Sequence, residues 1–343
     1  MSVRVGFLGA GLIATFHSVM LKGSGEEVVR AGVYDPDRTR AESFAAASGG
    51  WTADSEEQVL DSCDAVYICT WTSEHRRLVE AAAARGLAVF CEKPLSTDLD
   101  QARSMVDTVA AAGITNQVGL VLRYSPAFTL LRDLVAEERS GRVMSVVFRD
   151  DQYIPVQGLY GSTWRSDRTR AGAGTMLEHS IHDLDVLEWC VGPAASVNAQ
   201  SSNFHGLDGI EDSVATTLRF AGGGVGTMVS IWHDILERAS LRRVEVFCER
   251  AYFSLEHDWW GPVSWTRLGG DEARLEGDAL VAELDRRSLP RADADGEFIR
   301  AVREGRPAWP TFADALRAHQ LTDAVYRSAA AGGSPVDVSQ LPV

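Results

Sequence analysis

Two segments of the chain carry titratable side chains in patterns that could perform chemistry. Glu92-Lys93-Pro94 directly follows the apolar run 87–91, and residues 178–185 hold two histidines among three carboxylates. A lysine at a strand end can polarise a hydroxyl oxygen, and a histidine near a carboxylate can carry a proton near neutral pH. The alternative interpretations are a solvated loop lysine and an exposed polar helix face.

The second segment predicts a helix from about residue 176 to residue 191, whose apolar positions repeat at helical spacing. On such a helix Glu178 and His182 would share one face, four residues apart. A metal site is a weaker alternative, because His179 and His182 are three residues apart and no third ligand cluster is evident. The pattern therefore favours acid–base chemistry.

A glycine-rich motif near the N-terminus predicts a dinucleotide site. Residues 9–14 read GxGxxA between an apolar strand and a helix. Gly9 permits a tight turn, Gly11 lets the backbone approach a pyrophosphate, and the N–H groups of Leu12 and Ile13 open the helix toward phosphates. A glycine turn without a ligand is the alternative.

The next strand ends at Asp35, 24 residues after Gly11. A carboxylate there accepts hydrogen bonds from ribose hydroxyls and repels a 2′-phosphate, which favours NAD over NADP. NADP is the alternative cofactor, because Arg38 or Arg40 could pair with its extra phosphate.

The elements that must position these residues alternate between strand and helix. Strands are predicted at 3–8, 28–34, 64–69, 87–91 and 115–121, with helices between them, which indicates a doubly wound parallel sheet in a first domain, 1–122. Beyond that the pattern changes to a helix and successive strands over 195–267, including a hairpin around Gly222–Gly224. We assign 123–343 to a second domain, with the last helices expected to pack on the first.

Composition excludes several classes of protein. The 48 acidic residues outnumber the 33 basic ones, so the formal net charge is −15. That balance disfavours nucleic acid and anionic membrane surfaces as partners, and no apolar run is long enough for a spanning helix. The five cysteines include no CxxC pair, which predicts buried thiols in a reducing compartment, the cytoplasm.

Taken together, the motifs resemble the glucose–fructose oxidoreductase/inositol dehydrogenase/rhizopine catabolism family, usually written Gfo/Idh/MocA. The matching segments are residues 9–14, Asp35, Thr70 to His75, Glu92-Lys93-Pro94, Arg123 to Pro126, Trp164-Arg165 and 172–185. Where the family has a proline, a glycine, an aspartate and a second glycine, this chain has Trp71, Ala173, Glu178 and Ser180.

The resemblance implies a role for each matching residue. Lys93 orients the reacting hydroxyl, His182 accepts and returns its proton, and Glu178 occupies the place of the aspartate four residues before that histidine. The implied cofactor residues are Gly9, Gly11, Leu12, Ile13, Asp35, Arg38, Thr70, His75, Glu92 and Lys93. The implied substrate residues are Arg123, Trp164 and Arg165.

The resemblance also implies an α/β fold with a Rossmann domain and a second α/β domain on a large, open-faced, mostly antiparallel sheet. It implies an NAD-dependent oxidoreductase acting on a secondary hydroxyl of a sugar, polyol or sugar derivative. The expected assembly is a homodimer or homotetramer through that sheet. Two alternatives stay open: a glycosidase that uses transient oxidation at bound NAD, and a non-catalytic dinucleotide-sensing regulator.

Overall fold

The computed structural model describes residues 2–291 and 293–340. In chain order its elements are β1 Val3–Leu8, α1 Leu12–Gly23, β2 Val28–Tyr34, α2 Arg38–Ser48, β3 Trp51–Thr52, α3 Glu56–Leu60, β4 Ala65–Ile68, α4 His75–Ala83, β5 Ala88–Cys91, α5 Leu99–Ala112, β6 Asn116–Val118, α6 Pro126–Ala136, β7 Val143–Tyr153, α7 Arg168–Ala171, α8 Thr175–Glu178, α9 Ile181–Val191, β8 Ala194–Ser202, β9 Ser213–Phe220, β10 Val225–His233, β11 Leu241–Cys248, β12 Ala251–Glu256, β13 Val263–Arg267, β14 Glu272–Leu275, α10 Gly277–Arg286, α11 Ala294–Glu304, α12 Phe312–Ala330 and β15 Val336–Asp337.

These elements form two compact units. The first takes the described residues of Met1–Leu120, Thr169–Gly172 and Ala292–Leu316, and the second takes those of Val121–Arg168, Ala173–Arg291 and Arg317–Val343. Helix α11 therefore belongs to the first unit, although it follows most of the second in sequence.

The first unit is built on a six-stranded parallel sheet in the order β3-β2-β1-β4-β5-β6. Its central strands are short and apolar, and β4 and β5 are buried along their whole length, as expected for strands covered by helices on both faces. The strand order reverses at β1, so the carboxyl ends of β1 and β4 border the position where open α/β sheets bind ligands.

The second unit is built on a nine-stranded sheet in the order β14-β13-β12-β11-β7-β10-β9-β8-β15. Neighbours are antiparallel except β7 and β10, which run parallel. Buried and exposed residues alternate along β9 and β11, so one face packs on a core with α6 and α9 and the other face is open. This architecture confirms the predicted fold class.

Two helices of the second unit were not predicted from the sequence, α6 and α10. The start of α6 carries a recognisable signal, because Ser125 accepts the N–H of Phe128 as an N-cap and Pro126 follows at the first helical position. Among the described residues, no helix is long and apolar enough to cross a membrane.

Candidate active site

The glycine motif forms a tight turn at the carboxyl end of β1. Gly9 has φ of +89°, and a Cβ there would overlap the carbonyl oxygen of Cys69. A Cβ on Gly11 would meet nothing within 4 Å, and α1 begins without a side-chain cap or an acidic residue in its first turn. Leu12 and Ile13 are 53% and 40% exposed. This open cradle of N–H groups fits a dinucleotide pyrophosphate.

Asp35 lies just past β2 and ties that strand to the glycine turn. Its Oδ2 accepts the N–H of Ala10 at 2.9 Å, and its Oδ1 accepts the N–H of Asp37 at 2.9 Å. Arg40 approaches Asp35 Oδ1 to 3.6 Å, whereas Arg38 binds Glu42 and Asp54. The cation beside Asp35 is therefore Arg40.

The segment after β4 holds Thr70, Trp71 and His75. His75 Nδ1 donates to the carbonyl oxygen of Pro94 at 2.9 Å, which connects the first turn of α4 to the segment after β5. The guanidinium of Arg170 lies 3.9 Å from the ring centre of Trp71. The tryptophan that replaces the family's proline is thus held by a cation–π contact.

Lys93 lies two residues past the end of β5, and the Glu92 side chain holds its backbone N–H. Its N–H donates to Glu92 Oε2 at 3.2 Å, and the bond to Pro94 is cis, as expected. Glu92 is buried and accepts a hydrogen bond from His17 Nε2 at 2.8 Å. Burial alone would raise the pKa of Glu92, but the hydrogen bond and charge of His17 hold it below its ordinary value. A Cβ on Gly119 would overlap this carboxylate, so the glycine leaves it room.

The single helix predicted from 176 to 191 is wrong, because the chain leaves the helical path at His179 and Ser180, between α8 and α9. His179 Nε2 lies 2.8 Å from Asp150 Oδ2, and Ser180 Oγ lies 2.5 Å from Ser230 Oγ. These buried polar contacts to β7 and β10 outweigh the local helical preference. Glu178 and His182 consequently belong to different helices and do not share one helix face.

Glu178 at the end of α8 is bound by Arg165. Arg165 Nε donates to Glu178 Oε2 at 3.0 Å, and the Arg165 guanidinium lies 4.4 Å from the ring centre of Trp164. Glu178 is buried, so the arginine supplies the opposite charge that a buried carboxylate needs. The family resemblance assigns Trp164 and Arg165 to the substrate, and the structure groups both with Glu178 in the second unit.

His182 lies in the first turn of α9, and Asp185 follows it on the same helix. Asp185 accepts two hydrogen bonds from Arg123, at 2.9 Å from Nε and 2.7 Å from Nη2. This bidentate geometry fixes the planar guanidinium relative to α9. Asp185 therefore orients Arg123, which is one of the predicted substrate residues.

A buried acidic pair lies beneath the break between α8 and α9. Arg242 Nε binds Asp183 Oδ1 at 2.7 Å and Arg242 Nη2 lies 3.3 Å from Asp150 Oδ2. Burial, followed by the charge of Asp150, raises the pKa of Asp183 to about 7 despite Arg242. Asp150 Oδ1 and Asp183 Oδ2 have no donor among the described residues. When Asp183 is protonated, its hydroxyl can supply that donor to Asp150.

The predicted residues thus fall into two groups. The cofactor group and Lys93 follow strands at the carboxyl edge of the first sheet, whereas Glu178, His182, Arg123, Trp164 and Arg165 lie in the second unit. The sequence motifs missed His17 and Arg242. Their only signal was a polar residue at a position whose helical or strand pattern is buried. Within residues 2–291 and 293–340, no group of three or more His, Cys, Asp or Glu could hold a metal ion.

Comparison with known proteins matches both parts of the chain. A family model described as "Oxidoreductase family, NAD-binding Rossmann fold" matches residues 3–120, and the "GFO/IDH/MocA C-terminal domain" matches residues 128–254. The chain is 30% identical to inositol 2-dehydrogenase of Rhizobium meliloti (strain 1021), over 96% of this chain and 98% of that protein. It is 34% identical to 1,5-anhydro-D-fructose reductase of Ensifer adhaerens, over 67% of this chain and 68% of that protein.

A solved structure of levoglucosan dehydrogenase in complex with NADH has the same fold. Its TM-score is 0.84, at 23% identity, and the alignment covers 99% of this chain and 100% of that one. Similarity at this level of identity shows a shared fold, which here extends over both units.

We expect the chain to bind NAD at least about tenfold more tightly than NADP, because the negative charge of Asp35 would repel the 2′-phosphate of NADP. Arg40→Ala should weaken NADP further, since Arg40 is the cation beside Asp35. Arg38→Ala is the matched control and should leave the ratio unchanged, because Arg38 is engaged by Glu42 and Asp54. Fluorescence titration with NADH and NADPH measures both constants, and equal affinity for the two would contradict the assignment.

From the raised pKa of Asp183 we predict that the free energy of unfolding depends on pH. Its folded pKa of about 7 exceeds its ordinary value of 3.8. Between those values the folded chain holds a proton that the unfolded chain has released, so this group makes the free energy of unfolding fall as pH rises. Asp183→Asn cannot titrate, and its amide donates to Asp150. Relative to wild type, the variant should gain stability from about pH 5 to about pH 8 in urea unfolding. The exposed Asp208→Asn should show no such trend, and a constant difference for Asp183→Asn would refute the raised pKa.

Proposed function

Since the chain belongs to the Gfo/Idh/MocA family of NAD-binding oxidoreductases, we propose that it oxidises a secondary hydroxyl of a cyclic polyol, sugar or sugar derivative, or reduces the corresponding ketone. The observation that carries this proposal is the position of Lys93. It lies two residues past the end of β5, at the sheet edge that also bears Gly11 and Asp35. The relatives named inositol 2-dehydrogenase and 1,5-anhydro-D-fructose reductase support the substrate class.

The first unit binds the cofactor. NAD supplies the hydride acceptor for oxidation when it is bound. Gly9 and Gly11 would hold the pyrophosphate close to the N-terminus of α1, and Asp35 would accept hydrogen bonds from the ribose hydroxyls. Thr70 and His75, after β4, border the same edge of the sheet. These assignments use backbone N–H groups and one carboxylate, which is the donor and acceptor set that a dinucleotide requires.

Lys93 and His182 divide the handling of the reacting hydroxyl. The Lys93 ammonium donates a hydrogen bond to the hydroxyl oxygen, which stabilises the negative charge that develops there. Neutral His182 accepts the hydroxyl proton during oxidation and returns it during reduction. Each turnover of oxidation therefore leaves one proton on His182, which solvent must remove before the next.

Glu178 and Trp164 recognise the rest of the substrate. The Glu178 carboxylate keeps one oxygen bound to Arg165, and its other lone pairs accept a hydrogen bond from a second hydroxyl. Trp164 offers a flat apolar face to a sugar or cyclitol ring. Because Arg165 already balances its charge, Glu178 acts on substrate binding more than on the protonation of His182.

Lys93→Met should bind NADH like wild type and lose most of its turnover, because methionine keeps a long, unbranched side chain but has no charge. The assay is absorbance of NADH with a panel of polyols and sugars. Activity near wild type would show that Lys93 is a loop charge. Turnover without net NADH would favour a glycosidase, and NAD binding without turnover on any substrate would favour a regulator.

The pH profile of kcat/KM tests His182. Oxidation should become faster as pH rises, and reduction should become slower, because the two directions need opposite protonation states. His182→Ala should flatten both limbs and lower turnover by about 10²–10⁴. Glu178→Gln is the matched control: it should raise KM and leave the limbs in place. An unchanged limb in His182→Ala would assign the proton transfer to another group.

We also propose a homo-oligomer in a reducing compartment, the cytoplasm. The outer face of the nine-stranded sheet exposes Val147, Val225 and Phe247 on adjacent strands β7, β10 and β11. An apolar patch of this kind is typical of a surface that a second copy covers. All five cysteines are buried and free, which fits a compartment that keeps thiols reduced.

Val147→Asp should shift the protein from an oligomer to a monomer in sedimentation velocity, because the charge would be buried at the interface. Thr227, its neighbour on β10, provides the control Thr227→Ser on the same face. A wild-type monomer at micromolar concentration, or an unchanged oligomer in Val147→Asp, would contradict this interface.

A further inference from the structure

Three charged side chains form a buried chain of hydrogen bonds in the first unit. His17, on α1, binds Glu92 Oε1 through Nε2 at 2.8 Å and Asp295 Oδ1 through Nδ1 at 2.9 Å. Their exposed fractions are 0%, 6% and 2%. Since a carboxylate only accepts, both ring nitrogens of His17 must carry protons to satisfy these contacts. With Glu92 and Asp295 both ionised, the geometry therefore requires an imidazolium.

The surroundings of His17 are apolar and aromatic. Its ring centre lies 4.7 Å from that of Phe90 and 5.8 Å from that of Tyr67, and Tyr67 stacks on Phe90 at 4.7 Å. Phe298, on α11, contacts both rings edge-on. A charge in such a place is stable only when an opposite charge lies within hydrogen-bond distance. His17 and the two carboxylates consequently depend on one another.

Opposite charges alternate along the group. Glu92 and Asp295 contribute two negative charges with the His17 imidazolium between them, Lys93 adds a positive charge beside Glu92, and Arg30 adds one facing Asp295. Burial alone lowers the pKa of His17, but the charges and hydrogen bonds of Asp295 and Glu92 raise it to about 10. The other titratable or charged groups that face this cluster are Tyr67, Cys69, Cys91, Arg30 and His75.

Glu92 transmits this balance to the reacting lysine. While Oε1 binds His17, Oε2 accepts the N–H of Lys93, so the backbone at which the lysine side chain begins is fixed by the same carboxylate. While His17 carries both ring protons, a protonated Glu92 would place a donor against one of the two donors that it now accepts, and would release that contact. The position of Lys93 is therefore coupled to the charge on His17.

We propose that His17 and Asp295 are positioning residues for the reaction: the His17 imidazolium, held by Asp295, keeps Glu92 ionised, and ionised Glu92 sets the position of Lys93. This inference rests on the proposed role of Lys93 in turnover. According to this proposal, turnover also requires a positive charge on α1 and a carboxylate on α11. Helix α1 is the helix whose N-terminus is assigned to the cofactor.

His17→Gln tests the charge while keeping a donor for Glu92. Without the imidazolium, Glu92 and Asp295 face each other as like charges, so one takes up a proton at acid to neutral pH. We expect kcat to fall about 10- to 100-fold at about pH 6.5, with KM for NAD within about twofold of wild type. The ratio of variant to wild-type kcat should rise with pH. A role in stability alone would give a ratio that does not change with pH.

The double variant His17→Gln/Asp295→Asn removes one positive and one negative charge, and thereby keeps the net charge of the group as it is in wild type. It should recover at least part of the kcat lost in His17→Gln and should show less pH dependence. If the single variant fails to fold, the double variant still tests the proposal, because the introduced glutamine can donate to Glu92 and accept from the introduced asparagine. Ser18→Ala, a buried neighbour on α1, should retain wild-type kcat.

The outcomes separate this inference from the proposed function. If Lys93→Met is inactive while His17→Gln matches wild type at every pH, the positioning role is wrong and the proposed function stands. If Lys93→Met is fully active, the proposed function fails first. A double variant slower than His17→Gln, or a ratio independent of pH, would overturn the positioning role even where His17→Gln is impaired.

Discussion

The first unit depends on a carboxylate, Glu92, that stays ionised away from water because a histidinium lies against it. Keeping that charge requires His17 on α1, Asp295 on α11, and a glycine at 119 where any side chain would overlap the carboxylate. These positions are far apart in sequence, and the parallel sheet is what brings them together. The result is a fixed Lys93 at the carboxyl end of β5, where a ligand-binding edge needs a cation in a defined position.

The second unit also holds charged side chains away from water, but it stabilises them with a different arrangement of partners. Three carboxylates, Asp150, Asp183 and Asp258, surround the single guanidinium of Arg242. Burial, followed by the charge of Asp150, outweighs the attraction of Arg242 and raises the pKa of Asp183 to about 7. The contacts of His179 with Asp150 and of Ser180 with Ser230 break the helix between Glu178 and His182. Because of that break, the two residues are oriented independently of each other. Glu178 binds Arg165, and His182 lies at the start of α9.

Much of this was predictable from the sequence because it depends on local pattern. Apolar strands, the GxGxxA turn and Asp35 indicated the Rossmann fold and NAD, and the family match confirms both. The break at His179 was not predictable, because it arises from contacts with Asp150 and Ser230, which precede and follow it by many residues. The hydrogen bond between His17 and Asp295 could not be predicted for the same reason, since the two residues are far apart in sequence. Helical periodicity describes which face is buried, but it does not reveal which distant charge will lie against it.

The most direct test of this account is the protonation state of His17, read by ¹⁵N NMR of histidine-labelled protein, with the His17 signals identified by their loss in His17→Gln. A neutral-pH spectrum should show both ring nitrogens of His17 protonated, and they should stay so beyond about pH 8, where an ordinary histidine with a pKa near 6.5 is neutral. A His17 that titrates near that ordinary value, or that shows one unprotonated nitrogen at about pH 7, would contradict the buried imidazolium on which the position of Lys93 depends.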